Sequence, residues 1–343
     1  MLELQQIWFL LWGILWAVYF MLDGFDLGLG ALAPFVAASD RDKRVIYNAM
    51  GPVWDGNEVW LITAGGVTFA AFPTAYAIMF STLYTPLLLI LFALILRAVS
   101  FEFRGKIQSA GWYRLWEVGH FLGSFLPALL LGVAFANIFK GIPIDKEGIF
   151  HGTLLTLLNP YGILGGLLFV LLFLVHGALW LAVKAEGPLE ERAGRCASVI
   201  WWALLVVAVV FLIATFFMTS LYANYFRRPY LFVVPLVTVL ALLATRVLIA
   251  KKAWLMAWFA SALTIVGATL FGVIGLYPFI LPSSLDPAAS VTVFNSSSSP
   301  LTLKIMLVVT LIFLPIVIAY QVWTYYVFRG KLTEEDLASE EAY

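Results

Sequence analysis

Long apolar stretches recur along almost the whole chain and constrain its fold more than any other feature. Nine of them are separated by short polar segments. Each approaches or exceeds the roughly 20 residues that a helix needs to cross a bilayer core of about 30 Å. Because backbone polar groups in lipid must be satisfied within the segment, we predict that all are helices. Their approximate bounds are 7–36, 52–72, 75–99, 116–138, 160–183, 197–221, 231–250, 254–281 and 303–328.

The composition agrees with an integral membrane protein. Hydrophobic residues make up 63% of the 343 residues, and charged residues make up only 12%, about half of what soluble domains carry. We therefore predict an all-α integral membrane protein of about nine transmembrane helices, arranged as two four-helix bundles plus one peripheral helix. No segment between spans is long enough for a soluble domain, so residues 1–343 are taken as a single transmembrane domain.

The charge balance and cysteine content exclude several function classes. A net charge of zero argues against a nucleic-acid partner. The single cysteine, Cys196, excludes an internal disulfide and a metal site built from several thiolates. We predict no metal site in this chain.

Lysine and arginine are distributed unequally between the two ends of the predicted spans. Segments after odd-numbered spans, together with the C-terminal tail, hold 14 of them; segments after even-numbered spans hold 5, and Arg97 lies inside a span. Basic residues concentrate on the cytoplasmic side, so we predict an N-terminus outside and a C-terminus in the cytoplasm. No basic region precedes the first stretch, which indicates a retained span rather than a cleaved signal. The acidic tail 333–343 is expected to be solvated.

Ionisable residues inside the apolar stretches are the candidate functional residues. Charge at membrane depth is costly and is usually kept for a pathway, a partner or a ligand. Two pairs of acids, Asp23 with Asp26 and Asp55 with Glu58, are spaced three residues apart, so in a helix the members of each pair share a face. In the predicted topology all the candidates lie in the cytoplasmic half of the membrane, which favours a proton path from the cytoplasm. They are Asp23, Asp26, Asp55, Glu58, Arg97 and Glu102.

Each candidate also has a structural interpretation. Asp55 follows Pro52 in the first turn of its helix, where the dipole and the free amides stabilise a carboxylate. Arg97 and Glu102 lie near an interface that their side chains could reach. They are five apart, so they do not share a helix face. For Asp26, where no helix start is nearby, the alternative is packing alone beside the small residues Gly24 and Gly28.

The three histidines allow a haem-ligand interpretation, since His and Met are axial ligands of haem. His120 and His176 lie at similar predicted depth on neighbouring spans, and His151 lies in an outer segment. Histidines on apolar helices are more often hydrogen-bonded within a bundle. Ligation of haem by this chain is therefore the less favoured interpretation.

Two motifs form a specific combination in the first two spans, and four further segments spread over nearly the whole chain belong with them. The segments are 54–66 (Trp-Asp-Gly-Asn-Glu-Val-Trp-Leu-Ile-Thr-Ala-Gly-Gly), 23–28 (Asp-Gly-Phe-Asp-Leu-Gly), 97–104, 123–127, 278–284 and 301–304. In this combination the chain resembles subunit II of the cytochrome bd-type quinol oxidases of prokaryotes.

The resemblance implies a complex in the prokaryotic cytoplasmic (inner) membrane that oxidises quinol and reduces dioxygen to water. It implies two b-type haems and one haem d, all bound by subunit I, and no cofactor ligated by this chain. Some family members hold a structural quinone or lipid in subunit II, and no motif here decides that point. The implied partners are subunit I, a small single-span accessory subunit and membrane lipid.

The resemblance also implies residue roles. In the family, the aspartate of the Trp-Asp-Gly-Asn motif belongs to a proton path from the cytoplasm, and here that residue is Asp55. Asp26, Arg97 and Glu102 occupy further matching positions. Dioxygen reduction consumes protons, and drawing them from the cytoplasm separates charge without a pump.

Two other function classes are consistent with these residues. One is a purely structural bundle whose acids pair with subunit I. The other is a proton-coupled transporter, which is less favoured. Transporters usually place their acids near the bilayer midplane between paired interrupted helices, and the sequence shows no such pair.

Overall fold

The computed structural model describes residues 3–333 and 336–337. Within this part the chain is almost entirely helical, with one antiparallel two-stranded sheet. The helices are α1 (Leu4–Val36), α2 (Asp40–Met50), α3 (Trp54–Ala71), α4 (Pro73–Thr82), α5 (Tyr84–Phe103), α6 (Ala110–Lys140), α7 (Leu154–Leu157), α8 (Pro160–Lys184), α9 (Gly187–Met218), α10 (Tyr222–Arg227), α11 (Val233–Ala250), α12 (Trp254–Leu276) and α13 (Pro300–Val327). The strands are β1 (Phe279–Leu281) and β2 (Val291–Thr292), and short 3₁₀ turns cover Arg104–Lys106, Pro229–Phe232 and Pro287–Ala289.

The predicted membrane helices are confirmed. Among the described residues, eight helices are long and apolar enough to cross a membrane, namely α1, α5, α6, α8, α9, α11, α12 and α13. The remaining predicted span is α3, a helix of 18 residues. It falls short of the others in hydropathy because Asp55, Asn57 and Glu58 occupy its first turns.

Four predicted boundaries are wrong: two differ because of a proline, and two helices begin earlier than predicted, at Ala110 and at Gly187. The span predicted over 75–99 is divided into α4 and α5 at Leu83. Pro86 lacks an N–H for the carbonyl four residues earlier, which interrupts a continuous helix there. The span predicted over 254–281 ends as a helix at Leu276, since a residue before a proline, here Tyr277, disfavours helical geometry. The span predicted from 197 begins already at Gly187.

The spans form two sets of four with one helix at the edge. In the first set α1 packs on α3 and α6, and α5 packs on α6; in the second, α8 packs on α9 and α12, and α11 packs on α12. The sets meet over a broad contact, in which α8 packs against α1 and α6 and α12 packs against α1. Only 6% of the most apolar stretch of α13 is buried, so α13 is the peripheral helix.

Glycines set the close approach of α1 and α8. A Cβ added at Gly28 would lie 1.7 Å from the carbonyl oxygen of Phe173, and one added at Gly177 would lie 2.3 Å from the backbone nitrogen of Leu29. Any larger side chain would separate the two backbones. The small residues predicted to allow a helix to approach beside Asp26 therefore do so, and that helix is α8.

One end of the bundle carries most of the basic residues, and we call it the basic end. It comprises α2, the α5–α6, α8–α9 and α11–α12 connections with the helix ends that adjoin them, and the residues after α13. Glu117 at this end lies 2.8 Å from Lys43 and 2.9 Å from Arg104, which also contacts Asp40 at 2.5 Å. These pairs tie α2, α5 and α6 together.

The chain after α13 folds back onto the basic end. The backbone N–H of Leu332 donates to the carbonyl of Lys184 at 2.9 Å, and the Lys184 ammonium donates to the carbonyl oxygens of Phe328 and Gly330. Leu337 is buried. The expectation of a solvated tail is therefore wrong at Leu337; residues 334–335 and 338–343 lie outside the described part.

At the opposite end, the two longest connections pack on each other. The N–H of Ile142 donates to the carbonyl of Pro282 at 2.9 Å, and the Ser283 hydroxyl donates to the carbonyl of Ile144 at 2.5 Å. His151 lies in this outer region, as predicted, with Nε2 2.6 Å from Asp145 Oδ2. That contact holds the pKa of the Asp145 carboxyl below its ordinary value.

Candidate functional site

Three of the predicted residues form a buried ion cluster where α1, α3 and α5 meet. Arg97 Nη2 lies 2.7 Å from Asp23 Oδ1 and 3.2 Å from Glu58 Oε2. Arg97 and Asp23 are fully buried, whereas the Glu58 side chain keeps 21% of its surface exposed. Arg97 therefore does not extend to the interface; it pairs with acids from two other spans.

Asp26 is the fourth predicted residue in this region, and it has a different partner. Its Oδ2 accepts a hydrogen bond from Asn57 Nδ2 at 2.7 Å, and both residues are fully buried. Asn57 Oδ1 in turn accepts from the Tyr325 hydroxyl at 2.8 Å and from Gln321 Nε2 at 3.0 Å. The network thus joins α1 and α3 to the peripheral helix α13.

Sequence reasoning missed Gln321 and Tyr325 and treated Asn57 only as part of a motif. The prediction considered acids, histidines and basic residues at membrane depth, and it left out amides and phenols. An uncharged polar side chain inside an apolar span is costly for the same reason as a charged one. Gln321, a polar residue near the end of a long apolar stretch, was the sequence signal for this network.

Three carboxyl groups lie in this region, and carboxyl groups are groups that can bind and release protons. The carboxyl groups of Asp23 and Glu58 contact one guanidinium, and Asp26 lies three residues from Asp23 on α1, so adding or removing a proton changes their mutual repulsion. Within the described residues, Asp23 Oδ2, Asp26 Oδ1 and two nitrogens of Arg97 have no hydrogen-bond partner. Buried polar atoms are normally satisfied by protein or by ordered water. This site is therefore suited to water-assisted proton transfer.

Two predicted residues, Asp55 and Glu102, lie apart from both the ion cluster and Asp26. Asp55 is exposed in the first turn of α3, where its Oδ1 accepts from the Gly56 N–H at 2.7 Å. Glu102 is exposed near the end of α5. Five residues turn a helix by well over a quarter of a circle, so Glu102 faces away when Arg97 faces inward. The chain alone does not bring either acid to Asp26.

Both ring nitrogens of His176 lie within hydrogen-bond distance of other groups in the protein interior. Its Nδ1 lies 2.5 Å from Ser261 Oγ and its Nε2 lies 3.0 Å from the carbonyl oxygen of Met21. Its ring stacks on Trp258 with 5.1 Å between ring centroids. Over the described ranges, no group of three or more His, Cys, Asp or Glu side chains is placed to hold a metal ion.

An apolar cavity lies between the two sets of helices. It has a volume of about 100 Å³, and its lining includes Phe20, Phe173, Phe211 and Leu242. Ligand pockets usually measure roughly 300–1,000 Å³. The volume of this cavity lies below that range.

Comparisons with known proteins agree with the motifs. The family model described as cytochrome bd terminal oxidase subunit II matches residues 4–328. The chain is 36% identical over 338 residues to the cytochrome bd ubiquinol oxidase subunit 2 of Bacillus subtilis (strain 168), covering 98% of this chain and 99% of that protein. It is 36% identical over 368 residues to the cytochrome bd-I ubiquinol oxidase subunit 2 of Escherichia coli (strain K12), covering 97% and 96%.

The fold also has a solved counterpart. A chain in the structure of the bd oxidase from Geobacillus thermodenitrificans matches with a TM-score of 0.77 and 18% sequence identity, covering 95% of this chain and 99% of that one. At that identity the likeness concerns the fold alone. The family match spans nearly all of the sequence, from α1 through α13. The chain belongs to the cytochrome bd terminal oxidase subunit II family.

Proposed function

We propose that the chain serves as subunit II of a quinol oxidase complex in the cytoplasmic (inner) membrane of a prokaryote. Subunit I of that complex would bind the b-type haems and haem d, oxidise quinol and reduce dioxygen to water. This chain would support subunit I without ligating a haem. Family membership and the multi-pass helical fold support the proposal.

We propose further that the chain supplies protons for dioxygen reduction. The observation that carries this is Asp26, a fully buried carboxyl hydrogen-bonded to Asn57 beside the Arg97 cluster. A buried carboxyl at membrane depth is costly and is usually kept for a task. Asp55, at the start of α3, would receive protons at the basic end and pass them along the first turns of that helix to Asp26.

The surface formed by α3, α5 and α13 is the proposed contact with subunit I. α13 is almost wholly uncovered by this chain. An added Cβ at Gly65 or Gly66 of α3 would meet nothing within 4 Å, so a second helix can approach this face closely. Asp55 and Glu102 lie at its basic end. A partner covering this face would turn both exposed acids into interface residues.

The role of Asp55 can be separated from helix stabilisation. In Asp55→Asn the side-chain oxygen can still accept from the Gly56 N–H, and asparagine is well tolerated at helix starts. If Asp55 relays protons, we expect quinol-driven oxygen uptake, normalised to haem d, to fall several-fold with haem content unchanged. Glu147→Gln, which changes an exposed acid at the opposite end, is the matched control. Uptake equal to wild type across pH would leave Asp55 with a structural role.

The orientation follows from the proposal that the basic end faces the cytoplasm. A reporter that is active only in the cytoplasm, fused after Tyr343, should be active. The same reporter inserted between Ser296 and Ser299, at the opposite end, should be silent. Activity in the reverse pattern would show that the basic end faces outward.

The haem assignment has its own test. His176→Gln can keep hydrogen bonds to Ser261 and Met21 while removing the imidazole. We expect the purified complex to keep the b- and d-type absorption bands of the wild type, because both ring nitrogens of His176 already make hydrogen bonds to Ser261 and Met21. Loss of a b-type band from an otherwise assembled complex would make His176 a haem ligand.

A further inference from the structure

The two buried histidines of the bundle differ in their hydrogen bonds. His176 on α8 has both ring nitrogens bonded to the protein. His120 on α6 is only 1% exposed, yet within residues 3–333 and 336–337 neither of its ring nitrogens makes a hydrogen bond of normal geometry. The hydroxyl of Ser124, one turn further along α6, is also buried and unpartnered in that part of the chain. Buried polar atoms that lack a hydrogen bond to the protein are normally satisfied by ordered water.

His120 lies at a pocket that opens at the basic end. The pocket has a volume of about 290 Å³ and is formed by α1, α2 and α6. Water occupies roughly 30 Å³ per molecule in the liquid, so the pocket has room for several waters. Charged and polar side chains line it together with His120, namely Lys43, Tyr47, Arg114 and Glu117.

The same histidine adjoins the buried acid cluster. Gly30 of α1 packs directly on the pair: a Cβ there would lie 2.1 Å from Ser124 Oγ and 2.8 Å from His120 Nε2. Gly30 follows Asp26 by four residues, so both lie on one face of α1, about 6 Å apart along the axis. Gly123 of α6 packs equally closely on α5, since a Cβ there would lie 2.7 Å from the backbone nitrogen of Arg97.

We propose that the pocket, His120 and Ser124 form a hydrated branch through which protons from the basic end reach Asp26. The branch is distinct from Asp55 and rests on the proposed function of Asp26. A neutral imidazole has one nitrogen that accepts and one that donates. A proton that enters from the basic end is passed by water in the pocket to the accepting nitrogen, so each water is left neutral, and the other nitrogen releases its proton through Ser124 or water to the Asp26 carboxylate. The imidazole is then in its other tautomer, and exchange of its protons with water or rotation of the ring restores the first one. Nothing is oxidised or reduced in this transfer.

Water access is tested by thiol labelling, independently of turnover. In a Cys196→Ser background this chain has no other cysteine. His120→Cys is compared with His176→Cys, a matched substitution of the other buried histidine. A small charged methanethiosulfonate reagent, added to vesicles from the side of the basic end, should modify His120→Cys and leave His176→Cys unmodified. Absence of modification at His120→Cys, or equal modification of both, would overturn the branch.

Proton transfer is tested by chemical rescue. His120→Ala should lower quinol-driven oxygen uptake per haem d several-fold, and added imidazole should restore it, which a purely structural defect would not show. Gly30→Ala, which fills the contact with His120 and Ser124, should also lower uptake. Gly111→Ala, near the start of the same helix α6, is its control, because a Cβ there would meet nothing closer than 4.0 Å.

Asp26→Asn separates this proposal from the function it rests on. Slow uptake in Asp26→Asn with wild-type uptake in both His120→Ala and Gly30→Ala would overturn the branch and leave Asp26 as a proton carrier. Wild-type uptake in Asp26→Asn would overturn the proton-supply function and the branch together. Slow uptake in all three, with imidazole rescuing only His120→Ala, would support the branch.

Discussion

Replacing Arg97 with leucine should prevent assembly of the complex rather than slow its turnover. The change leaves Asp23 buried without its cation and removes the partner of Glu58. Breaking a buried ion pair by removing one partner costs about 3–5 kcal/mol. That is a large part of the roughly 5–15 kcal/mol by which folded domains are stable. We expect the amount of chain and of haem in solubilised membranes to fall to near background.

Three further variants show whether charge is the cause. Arg97→Lys keeps the charge but loses the planar guanidinium, so it should give intermediate amounts. The double variant Arg97→Leu with Asp23→Leu removes the unpaired buried charge and should recover part of the loss. Arg329→Leu, which changes an exposed arginine, should assemble normally. Normal haem content in Arg97→Leu would mean that the cluster does not hold α1, α3 and α5 together.

Replacing Asp26 with asparagine should leave the complex assembled and reduce its turnover by about tenfold or more. The new amide oxygen can still accept from Asn57 Nδ2, so the contact between α1 and α3 is kept. What is lost is the only group at position 26 that can bind and release a proton. The measurement is quinol-driven oxygen uptake normalised to haem d.

Tyr325→Phe is the matched control for that loss. It removes the hydroxyl that donates to Asn57 but leaves the Asp26 carboxyl in place. We expect its uptake to stay close to wild type. If Tyr325→Phe and Asp26→Asn slow uptake equally, the network matters for its shape and not for its proton.

The membrane helices could be predicted from the sequence because their length and apolarity follow from the bilayer alone. Their ends could be predicted less well. The division at Leu83 and the end of α12 at Leu276 depend on Pro86 and Pro278, which are visible in the sequence. Counting apolar residues ignores the hydrogen bond that proline cannot make. The prediction therefore continued both helices past these positions.

The site could be predicted only in part. Charge at membrane depth pointed to Asp23, Glu58 and Arg97. Their pairing depends on how α1, α3 and α5 pack, so it could not be predicted from the sequence. The outward position of Glu102 follows from its spacing to Arg97 along one helix. The lack of a normal hydrogen bond at His120 could not be foreseen, since it depends on what three other helices, α1, α2 and α5, place around the ring.

The central claim is that protons from the basic end pass through Asp26 on their way to dioxygen. The most direct test reconstitutes the reduced complex in liposomes and follows proton uptake with a pH-sensitive dye after a single mixing with dioxygen. Wild type should take up protons from the side of the basic end. In Asp26→Asn the haems should begin to oxidise as fast as in wild type, while proton uptake slows by about tenfold or more. Proton uptake by Asp26→Asn at the wild-type rate and from the same side would contradict the claim.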